Sequence, residues 1–577
     1  MRNGFVWDDS ALVLRDPFIR SWRLLAEGFR HFLFTDATAS NFYRPLQRLT
    51  YTWDYAWFGF APWGWHASNI VLHGAAAVML FLFLEKLLAL FAVARAREMA
   101  AVTAFIWAIH PLHASAVIYV AGRADLLAAL FGFAGLYFAA TACERRPKGA
   151  QAKWHCLGAT LCFLAALLSK ESGVVAMVVC GALFFFKDRK QLRWLAVAVV
   201  IVLGIYSALR FTAEHETPPT FTPPLPAAAR PIIAARAFAE YAGLLVAPVN
   251  LHMERDVLPF GRGDFAANVQ AARWRELQTL LGLILLAAFC FWLRWSARRE
   301  RAAFFCLIAF AAAYLPISNL LPLNATVAEH WLYVPSAFLL VAAMLSLAHL
   351  RLSKTAVAAL LLAWTAFLGA RTFLRNADWR DQRTFLERTI ADGGASARML
   401  MNLGSLESAA GHQRIAIGHF QNALERSPSQ PFALLGLGGA YLRAGEMEKA
   451  RAQFEDALKH PFVRAEALQD LAVLEYKQSG RDRVDLLQEA ATLAPKNWAI
   501  QKRYIGHLDD RGDKKEAILA LQKVLATQGW RADSWHMLGD LWSRAGVTES
   551  AVRAYSHAAA YDVHDDAARR KLAEAGK

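Results

Sequence analysis

The chain has 577 residues, of which 56% are hydrophobic, 12% are aromatic and only 19% are charged. Soluble globular proteins carry about 25% charged residues, so this composition excludes an ordinary soluble protein and predicts that most of the chain faces lipid. The formal net charge is +15. Polytopic membrane proteins collect Lys and Arg in their cytoplasmic loops, and we expect no nucleic acid among the partners.

The first 66 residues precede the apolar segments and contain two adjacent carboxylates, Asp8 and Asp9. A carboxylate close to the lipid headgroups can act as general base for a hydroxyl nucleophile, because burial and neighbouring cations tune its pKa. On residue type alone, capping of a helix N-terminus is the more common role for such a pair. Both interpretations stay open at this point.

Ten apolar segments follow, and each is a predicted membrane crossing. A further segment at 231–250 carries Arg236 and Glu240. The basic clusters at Arg193 and Arg298 can both be cytoplasmic only if an even number of crossings lies between them. The segment at 231–250 is therefore predicted to be interfacial or re-entrant. The predicted crossings are 69–91, 99–119, 124–143, 154–169, 171–187, 192–211, 277–295, 302–321, 331–350 and 353–373.

Ionisable side chains gather at the turns on one side of these segments. Such groups are costly at membrane depth and usually mark a substrate path or a catalytic site. With the basic loop clusters assigned to the cytoplasm, these turns share the outer face with the first 66 residues. Arg371, Arg375, Arg380 and Arg383 flank the last span on that same face, which conflicts locally with the charge rule.

Beyond about residue 395 the sequence becomes polar and Ala-rich, and small and aromatic residues recur every 34 residues. Gly404 and Phe420, for example, recur as Gly438 and Phe454. This period is typical of tetratricopeptide repeats, in which paired helices stack into a solenoid. We predict about five repeats in 395–577, preceded by a linker. Their concave face suits a scaffold or oligomerisation surface, with direct contact to an acceptor polypeptide as the alternative.

Several long motifs occur in one order along the chain, and together they resemble one family. This order is similar to that of the transmembrane and tetratricopeptide repeat-containing glycosyltransferases, a branch of the GT-C class. The motifs are Asp8-Asp9, Tyr43-Arg44-Pro45-Leu46, His66 with Asn69-Ile70-Val71-Leu72-His73, the stretch 110–131 (HPLHASAVIYVAGRADLLAALF) with His110, His113, Arg123 and Asp125, Leu168-Ser169-Lys170-Glu171-Ser172-Gly173 and Ala328-Glu329-His330-Trp331-Leu332-Tyr333-Val334-Pro335-Ser336.

The resemblance implies an all-α fold with four parts. Residues 1–66 form the first outer loop, 67–375 form a polytopic transmembrane helix bundle of GT-C type, 376–394 form the linker, and 395–577 form the tetratricopeptide α-solenoid. A transmembrane helix normally precedes the acidic pair in this family. That helix is expected to be absent from this sequence, because Met1 lies only a few residues before Asp8.

The resemblance also implies an activity. The family transfers a sugar, here mannose or another hexose, with inversion from a polyprenyl-phosphate donor to a Ser or Thr hydroxyl of an exported protein. Asp8 or Asp9 would be the base, and Arg123 and Lys170 are our first choices for stabilising the departing phosphate. The further candidates for donor or substrate binding are Arg44, His66, His73, His110, His113, Asp125, Glu171, Glu329 and His330.

A structural role is the alternative for each of these residues. Arg123 can pair with Asp125 and Lys170 with Glu171, and the histidines can form hydrogen bonds between helices. Two positions also depart from the family pattern, and both leave the donor open. Ser115 replaces the usual Glu, and His330 replaces a common Arg.

No spacing typical of a metal site, such as HExxH, occurs, so we expect no cofactor, with a divalent metal as the alternative. The six cysteines lie in or beside apolar runs without CxxC spacing and predict neither a disulfide framework nor a zinc site. The expected partners are the lipid-phosphate sugar donor, the acceptor polypeptide and membrane lipids.

The Ala- and Arg-rich composition favours a bacterial inner-membrane protein with periplasmic repeats, and an endoplasmic reticulum protein with luminal repeats is the alternative. Two other classes of function are compatible with the sequence. A transporter also buries ionisable groups, but it commonly shows inverted repeats, and none is evident here. A membrane-anchored scaffold without activity is the second alternative.

Overall fold

The structure is a computed structural model that describes residues 3–34, 42–144, 150–213, 227–257, 265–323, 325–349, 353–428 and 430–575. Throughout these ranges the regular structure is helical, and β pairing is limited to an isolated antiparallel bridge between Arg255 and Val327. The predicted all-α fold is confirmed.

Short helices form the segment before the first long apolar helix, which we call the outer segment. Its main elements are α1 (Leu25–Phe29) and α2 (Pro45–Phe58). Pro45 suits the first turn of α2 because its fixed φ matches the helix and its missing N–H is not needed there. Gly59 follows the last turn with a φ of +53°, a conformation that glycine adopts without steric cost. A π turn at Ser10–Leu14 and 3₁₀ turns at Pro17–Ile19 and Trp22–Leu24 complete the segment.

Apolar helices follow and pack around one hydrophobic core, in which α6 lies between α3 and α7 and α12 packs on α13. These helices are α3 (Pro62–Leu90), α4 (Ala96–Ile109), α5 (Ala114–Val117), α6 (Arg123–Glu144), α7 (Ala150–Ser169), α8 (Val174–Lys187), α9 (Gln191–Phe211), α10 (Arg230–Val246), α11 (Phe265–Arg299), α12 (Arg301–Tyr314), α13 (Tyr333–Leu347) and α14 (Lys354–Arg375). Short 3₁₀ turns connect them at Pro111–His113, Val120–Gly122, Glu171–Gly173, Ala227–Ala229, Leu315–Ile317 and Glu329–Leu332.

Within the described ranges, six helical stretches are long and apolar enough to cross a membrane. A seventh crossing results if α4 and Pro111–Val117 form one span, which bends by 51° where Pro111 interrupts the hydrogen bonding. The protein is therefore an integral membrane protein. The six stretches are Pro62–Leu90, Val120–Cys143, Gln191–Phe211, Trp274–Arg299, Glu329–Leu347 and Lys354–Trp379.

The structure thus has fewer long spans than the ten crossings predicted. The predicted spans in α7, α8 and α12 are helical, but their apolar stretches are shorter than the roughly 20 residues that cross a bilayer. Polar and proline-containing turns end them early. Helix α10, which the sequence predicts to be interfacial or re-entrant, is not among the long apolar helices.

The arginines that conflict with the charge rule have partners within the protein. Arg375 is buried and pairs with Glu329 at 3.3 Å and with Asp378 at 3.0 Å. Arg371 donates to the carbonyl of Pro248 at 3.2 Å. These side chains hold the end of α14 against neighbouring loops, so a structural role accounts for their position.

The segment predicted as a linker is folded. It forms a 3₁₀ turn at Asn376–Trp379 and α15 (Gln382–Ala391). Trp379 is fully buried and lies against Phe385 and Tyr119, with ring centroids 4.8 and 5.6 Å apart. The segment therefore packs against the membrane domain.

Paired helices form the C-terminal part, and small residues allow each pair to pack closely. A Cβ atom added at Gly438 would lie 2.5 Å from the ring of Phe454, and one at Gly539 would lie 2.5 Å from the ring of Tyr555. The helices are α16 (Ala397–Ala409), α17 (Gln413–Arg426), α18 (Pro431–Ala444), α19 (Met447–Leu458), α20 (Arg464–Ser479), α21 (Val484–Leu493), α22 (Trp498–Asp510), α23 (Lys514–Thr527), α24 (Ala532–Arg544), α25 (Thr548–Tyr561) and α26 (Asp566–Ala575), with a 3₁₀ turn at Pro461–Val463.

Both ends of this repeat array contact the outer segment. At the near end, the guanidinium of Arg398 in α16 lies 5.0 Å from the centroid of the Trp7 ring. At the far end, the hydroxyl of Tyr55 donates to Asp562 at 2.8 Å, and the ring of Phe18 lies 4.4 Å from that of Trp530. The array is therefore attached to the outer segment at two separate places.

Substitution of Gly438 tests the close packing of the repeats. We expect Gly438→Ala to lower the free energy of unfolding by about 1–3 kcal/mol, because the new methyl group collides with Phe454. The matched control is Gly418→Ala in α17, where nothing lies within 4 Å of the added Cβ, and it should be neutral or stabilise by up to about 1 kcal/mol. Thermal unfolding of the full chain in detergent measures both. Equal effects of the two substitutions would contradict this packing.

Candidate functional site

A cavity of about 350 Å³ lies between the outer segment and the membrane helices. Its lining runs along α6 from Asp125 to Leu136, which is about 16 Å of helix. The lining residues near the helix starts are polar, and those further along α6, α8 and α13 are apolar. The polar side chains are Asp8, Arg44, Tyr119, Asp125, Lys170, Glu171, Ser172, Glu254, His330 and Arg398.

Asp8 lies in the wall of this cavity. Its backbone N–H donates to the hydroxyl of Tyr119 at 3.2 Å. Burial raises the pKa of the Asp8 carboxyl above its ordinary value, and a hydrogen bond to Tyr119 and the charges of Arg398 and Arg44 oppose that rise. A carboxylate with a raised pKa is suited to accepting a proton near neutral pH.

Asp9 has a different environment although it is the next residue. Its side chain is fully buried and does not line the cavity. One carboxylate oxygen accepts the backbone N–H of Ala121 at 2.7 Å and the other accepts that of Val6 at 3.1 Å. Burial raises the pKa of Asp9 to about 8, and the backbone hydrogen bonds oppose this. These contacts give Asp9 a structural role, but it differs from the predicted capping, because the Asp9 side chain makes no capping hydrogen bond to the turn at Ser10–Leu14 that follows it. Asp8 is left as the accessible carboxylate.

Two ion pairs lie side by side in the cavity wall. Nζ of Lys170 lies 2.6 Å from Oδ1 of Asp125, and Nη2 of Arg44 lies 3.1 Å from Oε2 of Glu171. Burial lowers the pKa of Lys170, and the charge of Asp125 opposes this effect. The partners differ from the structural alternative in the sequence, in which Lys170 pairs with Glu171. Two cations and two carboxylates therefore face one space.

Arg123 lies outside the cavity lining, unlike Lys170. Its side chain is fully buried, and Nη2 lies 2.5 Å from a carboxylate oxygen of Asp54. It also donates to Oδ1 of Asn69 at 2.7 Å and to the carbonyl of Trp65 at 3.1 Å. These contacts use its donors to join the outer segment to α3 and α6, so its position does not suit the predicted phosphate contact.

Four of the histidines predicted as donor or substrate ligands, namely His66, His73, His110 and His113, also lie outside the cavity lining, and each contacts a carbonyl or hydroxyl oxygen. Their positions fit the structural alternative. The contacts are His66 with the carbonyl of Asn3 at 3.1 Å, His73 with the hydroxyl of Tyr333 at 2.5 Å, His110 with the carbonyl of Leu245 at 3.0 Å and His113 with Oγ of Ser336 at 3.1 Å.

Glu329 and His330 are adjacent but face different surroundings. Glu329 is fully buried, lies outside the lining and pairs with Arg375. His330 lines the cavity, and its Nδ1 is buried without a hydrogen-bond partner. Ser115, at the position where the family usually has Glu, is fully buried and donates to the carbonyl of Leu112 at 3.1 Å. Of these three residues, only His330 adds a polar group to the cavity.

Known relatives support the resemblance indicated by the motifs. The chain is 24% identical to human protein O-mannosyl-transferase TMTC3 over 78% of its own length and 52% of that protein. It is 26% identical to mouse protein O-mannosyl-transferase TMTC4, over 72% of the chain and 63% of that protein. The chain resembles the TMTC proteins. It spans about half the length of the curated relatives it matches.

The sequence identity to a TMTC protein is higher over a shorter stretch. The chain is 33% identical to Tmtc2 of Drosophila melanogaster over 214 residues, which are 35% of the chain and 22% of that protein. No protein-family model matches the chain. Among solved structures, the tetratricopeptide repeat protein YrrB is 20% identical and matches 32% of the chain and 96% of its own length, with a TM-score of 0.23.

The motifs singled out in the sequence contribute part of the cavity lining. Tyr119, Glu254 and Arg398 line the cavity, and sequence reasoning does not single them out. Tyr119 lies inside the apolar stretch that follows His113, so the sequence offers a weak signal for it. Glu254 and Arg398 lie in a loop and in the first repeat helix, and their positions follow only from the tertiary structure.

Among the residues that the structure describes, no group of three or more His, Cys, Asp or Glu side chains is arranged to hold a metal ion. In the two ion pairs of the cavity wall, Arg44 and Lys170 each lie beside a carboxylate.

Substitution of Arg123 tests its structural role. We expect Arg123→Ala to lower the free energy of unfolding by about 3–5 kcal/mol, because it leaves the carboxylate of Asp54 buried without its cation. The double substitution Arg123→Leu with Asp54→Leu should cost less, because no charge then stays buried. Thermal unfolding in detergent measures both variants. An unchanged unfolding temperature for Arg123→Ala would contradict this role.

Proposed function

We propose that the protein transfers a sugar from a polyprenyl-phosphate donor to a Ser or Thr hydroxyl of an exported polypeptide. The observation that carries the proposal is the content of one cavity. A carboxylate with a raised pKa, two cations and a long apolar wall line the same space between the outer segment and the membrane helices. The TMTC relatives are named protein O-mannosyl-transferases, which supports the same class of reaction.

Asp8 is the proposed base. Its carboxylate accepts the proton of the acceptor hydroxyl as the hydroxyl oxygen forms a bond to the anomeric carbon of the sugar. The bond between that carbon and the phosphate oxygen breaks, and its electron pair leaves with the lipid phosphate. A single displacement of this kind inverts the anomeric centre, and it needs one carboxylate base on the side opposite to the leaving group.

Arg44 and Lys170 are the proposed ligands of the phosphate. Each already has a carboxylate partner in the cavity wall, which limits the cost of burying the cation in the empty site. Donors aimed at a charge that develops in the transition state lower the barrier, because they need no reorganisation. His330 is a further hydrogen-bonding group for the donor, since its Nδ1 has no hydrogen-bond partner among the residues that the structure describes.

The apolar lining is the proposed contact for the lipid chain of the donor. It continues along α6, where the small residues Ala128, Ala129 and Gly132 leave room beside the larger Phe133 and Leu136. A hydrocarbon chain gains free energy when it leaves water for such a surface. The sugar phosphate would then lie at the polar helix starts, with the lipid extending along the helices.

The acceptor is proposed to approach from the outer side, where the repeat array lies. We place this side in the periplasm of a bacterium, or in the lumen of the endoplasmic reticulum if the chain is eukaryotic. No cofactor enters the proposal. The repeat array contacts the outer segment at both ends, so a polypeptide bound by the repeats would lie close to the cavity.

Asp8→Asn is the direct test of the base. We expect sugar transfer to fall by at least about 100-fold, because the amide cannot accept the hydroxyl proton. The assay uses the full chain in lipid nanodiscs with polyprenyl-phosphate mannose and a Ser/Thr peptide, and mass spectrometry detects the added hexose. The control Glu27→Gln changes a partly exposed carboxylate of the outer segment and should keep full activity. Normal transfer by Asp8→Asn would reject Asp8 as the base and favour a transporter or a scaffold.

The activity of the wild-type chain should depend on pH in a defined direction. Because burial raises the pKa of Asp8 above its ordinary value of 3.8, activity should be lost as pH falls through this raised pKa. The protonated carboxyl can no longer accept a proton from the acceptor. An acid limb at the pKa of an ordinary, solvent-exposed Asp would contradict the proposed environment of the base.

Substitution of the cations tests donor binding. We expect Arg44→Ala and Lys170→Ala each to raise the KM for the polyprenyl-phosphate donor by about 10-fold or more, because a charged hydrogen bond to phosphate contributes roughly 1.5–3 kcal/mol. The KM for the peptide should change little. Arg30→Ala is the matched control, since Arg30 is an exposed cation of the outer segment. Unchanged donor KM values in both variants would place the phosphate elsewhere.

A further inference from the structure

The backbone before the proposed base has an unusual conformation. Trp7 has a φ of +56°, in the left-handed region that a bulky residue rarely adopts. Such conformations persist only where the surrounding structure holds them, and they concentrate at functional sites. Since Trp7 is bonded directly to Asp8, whatever holds Trp7 also sets the direction of the Asp8 side chain.

Helix α15 supplies the first of these contacts. Oε1 of Gln382 accepts the backbone N–H of Trp7 at 2.6 Å. The ring of Phe385 lies 5.8 Å from the ring of Trp7. Upstream, the N–H of Gly4 donates to the carbonyl of Arg380 at 2.8 Å. The start of the chain is therefore fixed along the segment that leads into the repeats.

Helix α16, the first helix of the repeat array, supplies the second contact. The guanidinium of Arg398 lies 5.0 Å above the ring of Trp7, within the range of a cation–π interaction. Its Nε donates to Oε1 of Glu254 at 2.7 Å. Arg398 and Glu254 both line the cavity that contains Asp8. A side chain of the repeat array thus forms part of the cavity wall.

We propose that Gln382 and Arg398 are positioning residues for Asp8, so that the beginning of the repeat array is an integral part of the active site. This inference rests on the proposed function, because it assigns a role to residues around the proposed base. It gives the repeats a direct part in the chemical step, beyond any part in holding the acceptor.

The charges around Asp8 give this inference a distinctive signature. Arg398 and Arg44 lower the pKa of Asp8, and Glu254 raises it. Two further titratable groups face Asp8, namely Asp9 and the hydroxyl of Tyr119. Loss of the Arg398 charge should therefore move the pKa of Asp8 up, and loss of the Glu254 charge should move it down.

The test compares the pH dependence of transfer by the full chain in nanodiscs, with polyprenyl-phosphate mannose and a Ser/Thr peptide. In Arg398→Ala the acid limb should shift to higher pH by about 0.5 unit, the effect of one charge several ångströms away in a hydrated site. In Glu254→Gln it should shift to lower pH, and in Arg398→Lys it should stay in place. Arg464→Ala, which removes an exposed arginine of a later repeat helix, is the matched control and should not shift it.

A second variant tests the backbone contact. Gln382→Met keeps the length of the side chain but removes the acceptor for Trp7. We expect kcat to fall by about 10-fold or more, because small misplacements of a catalytic group are costly. The donor KM and the thermal unfolding temperature should change little. A loss confined to the unfolding temperature would show a merely structural role.

The outcomes separate this inference from the proposed function. If the wild-type chain transfers sugar and Asp8→Asn does not, the proposed function stands. If the acid limb then stays in place in Arg398→Ala and Glu254→Gln, and kcat is unchanged in Gln382→Met, the inference is overturned. A wild-type chain that transfers no sugar would overturn both. Should Arg398→Ala fail to fold, Glu254→Gln and Gln382→Met still decide the matter.

Discussion

One hydrophobic cluster joins four parts of this chain, and the geometry of the cavity depends on it. Val6 of the outer segment, Trp65 of α3, Trp379 of the 3₁₀ turn after α14 and Leu403 of the first repeat helix all belong to this cluster. Burial of such side chains is the main favourable term in folding. Because the cluster fixes the outer segment from both sides, Asp8 has a defined place beside the membrane helices. The buried ion pair of Arg123 and Asp54 reinforces the same junction.

The polar part of the cavity is made where helices begin or turn, and this placement has a physical reason. Lys170 follows the end of α7, Asp125 lies in the first turn of α6, and Arg44 directly precedes α2. At these points a charged side chain can reach the water above the bilayer while its neighbours remain in the apolar core. The apolar residues further along α6, α8 and α13 then continue the wall. Helix α6 supplies both kinds of surface, with Asp125 in its first turn and apolar residues beyond it.

The sequence was sufficient for the features that depend on periodicity and composition. The 34-residue period predicted the paired helices, and the long apolar segments predicted the membrane helices, although three of these are too short to span. The motifs predict five residues for donor or substrate binding that all line the cavity, namely Arg44, Asp125, Lys170, Glu171 and His330.

The sequence does not determine the direction of a side chain or the group that it contacts. Arg123 lies two residues before Asp125, yet one points to Asp54 and the other to the cavity. Asp8 and Asp9 differ in the same way. Arg398 gave no signal, because its role depends on how the repeat array packs on residues almost 400 positions earlier in the chain. Repeat periodicity describes contacts between neighbouring repeats, and it carries no information on this docking.

The attachment of the repeat array at both ends changes its mechanics. In a solenoid attached at one end only, small motions between neighbouring repeats add up along the array, and the free end moves the most. Here Arg398 and Asp562 lie at opposite ends of the array and both contact the outer segment, so the array is an arch. A force on a middle repeat is transmitted to both points of attachment. One of these points is Trp7, the residue next to Asp8.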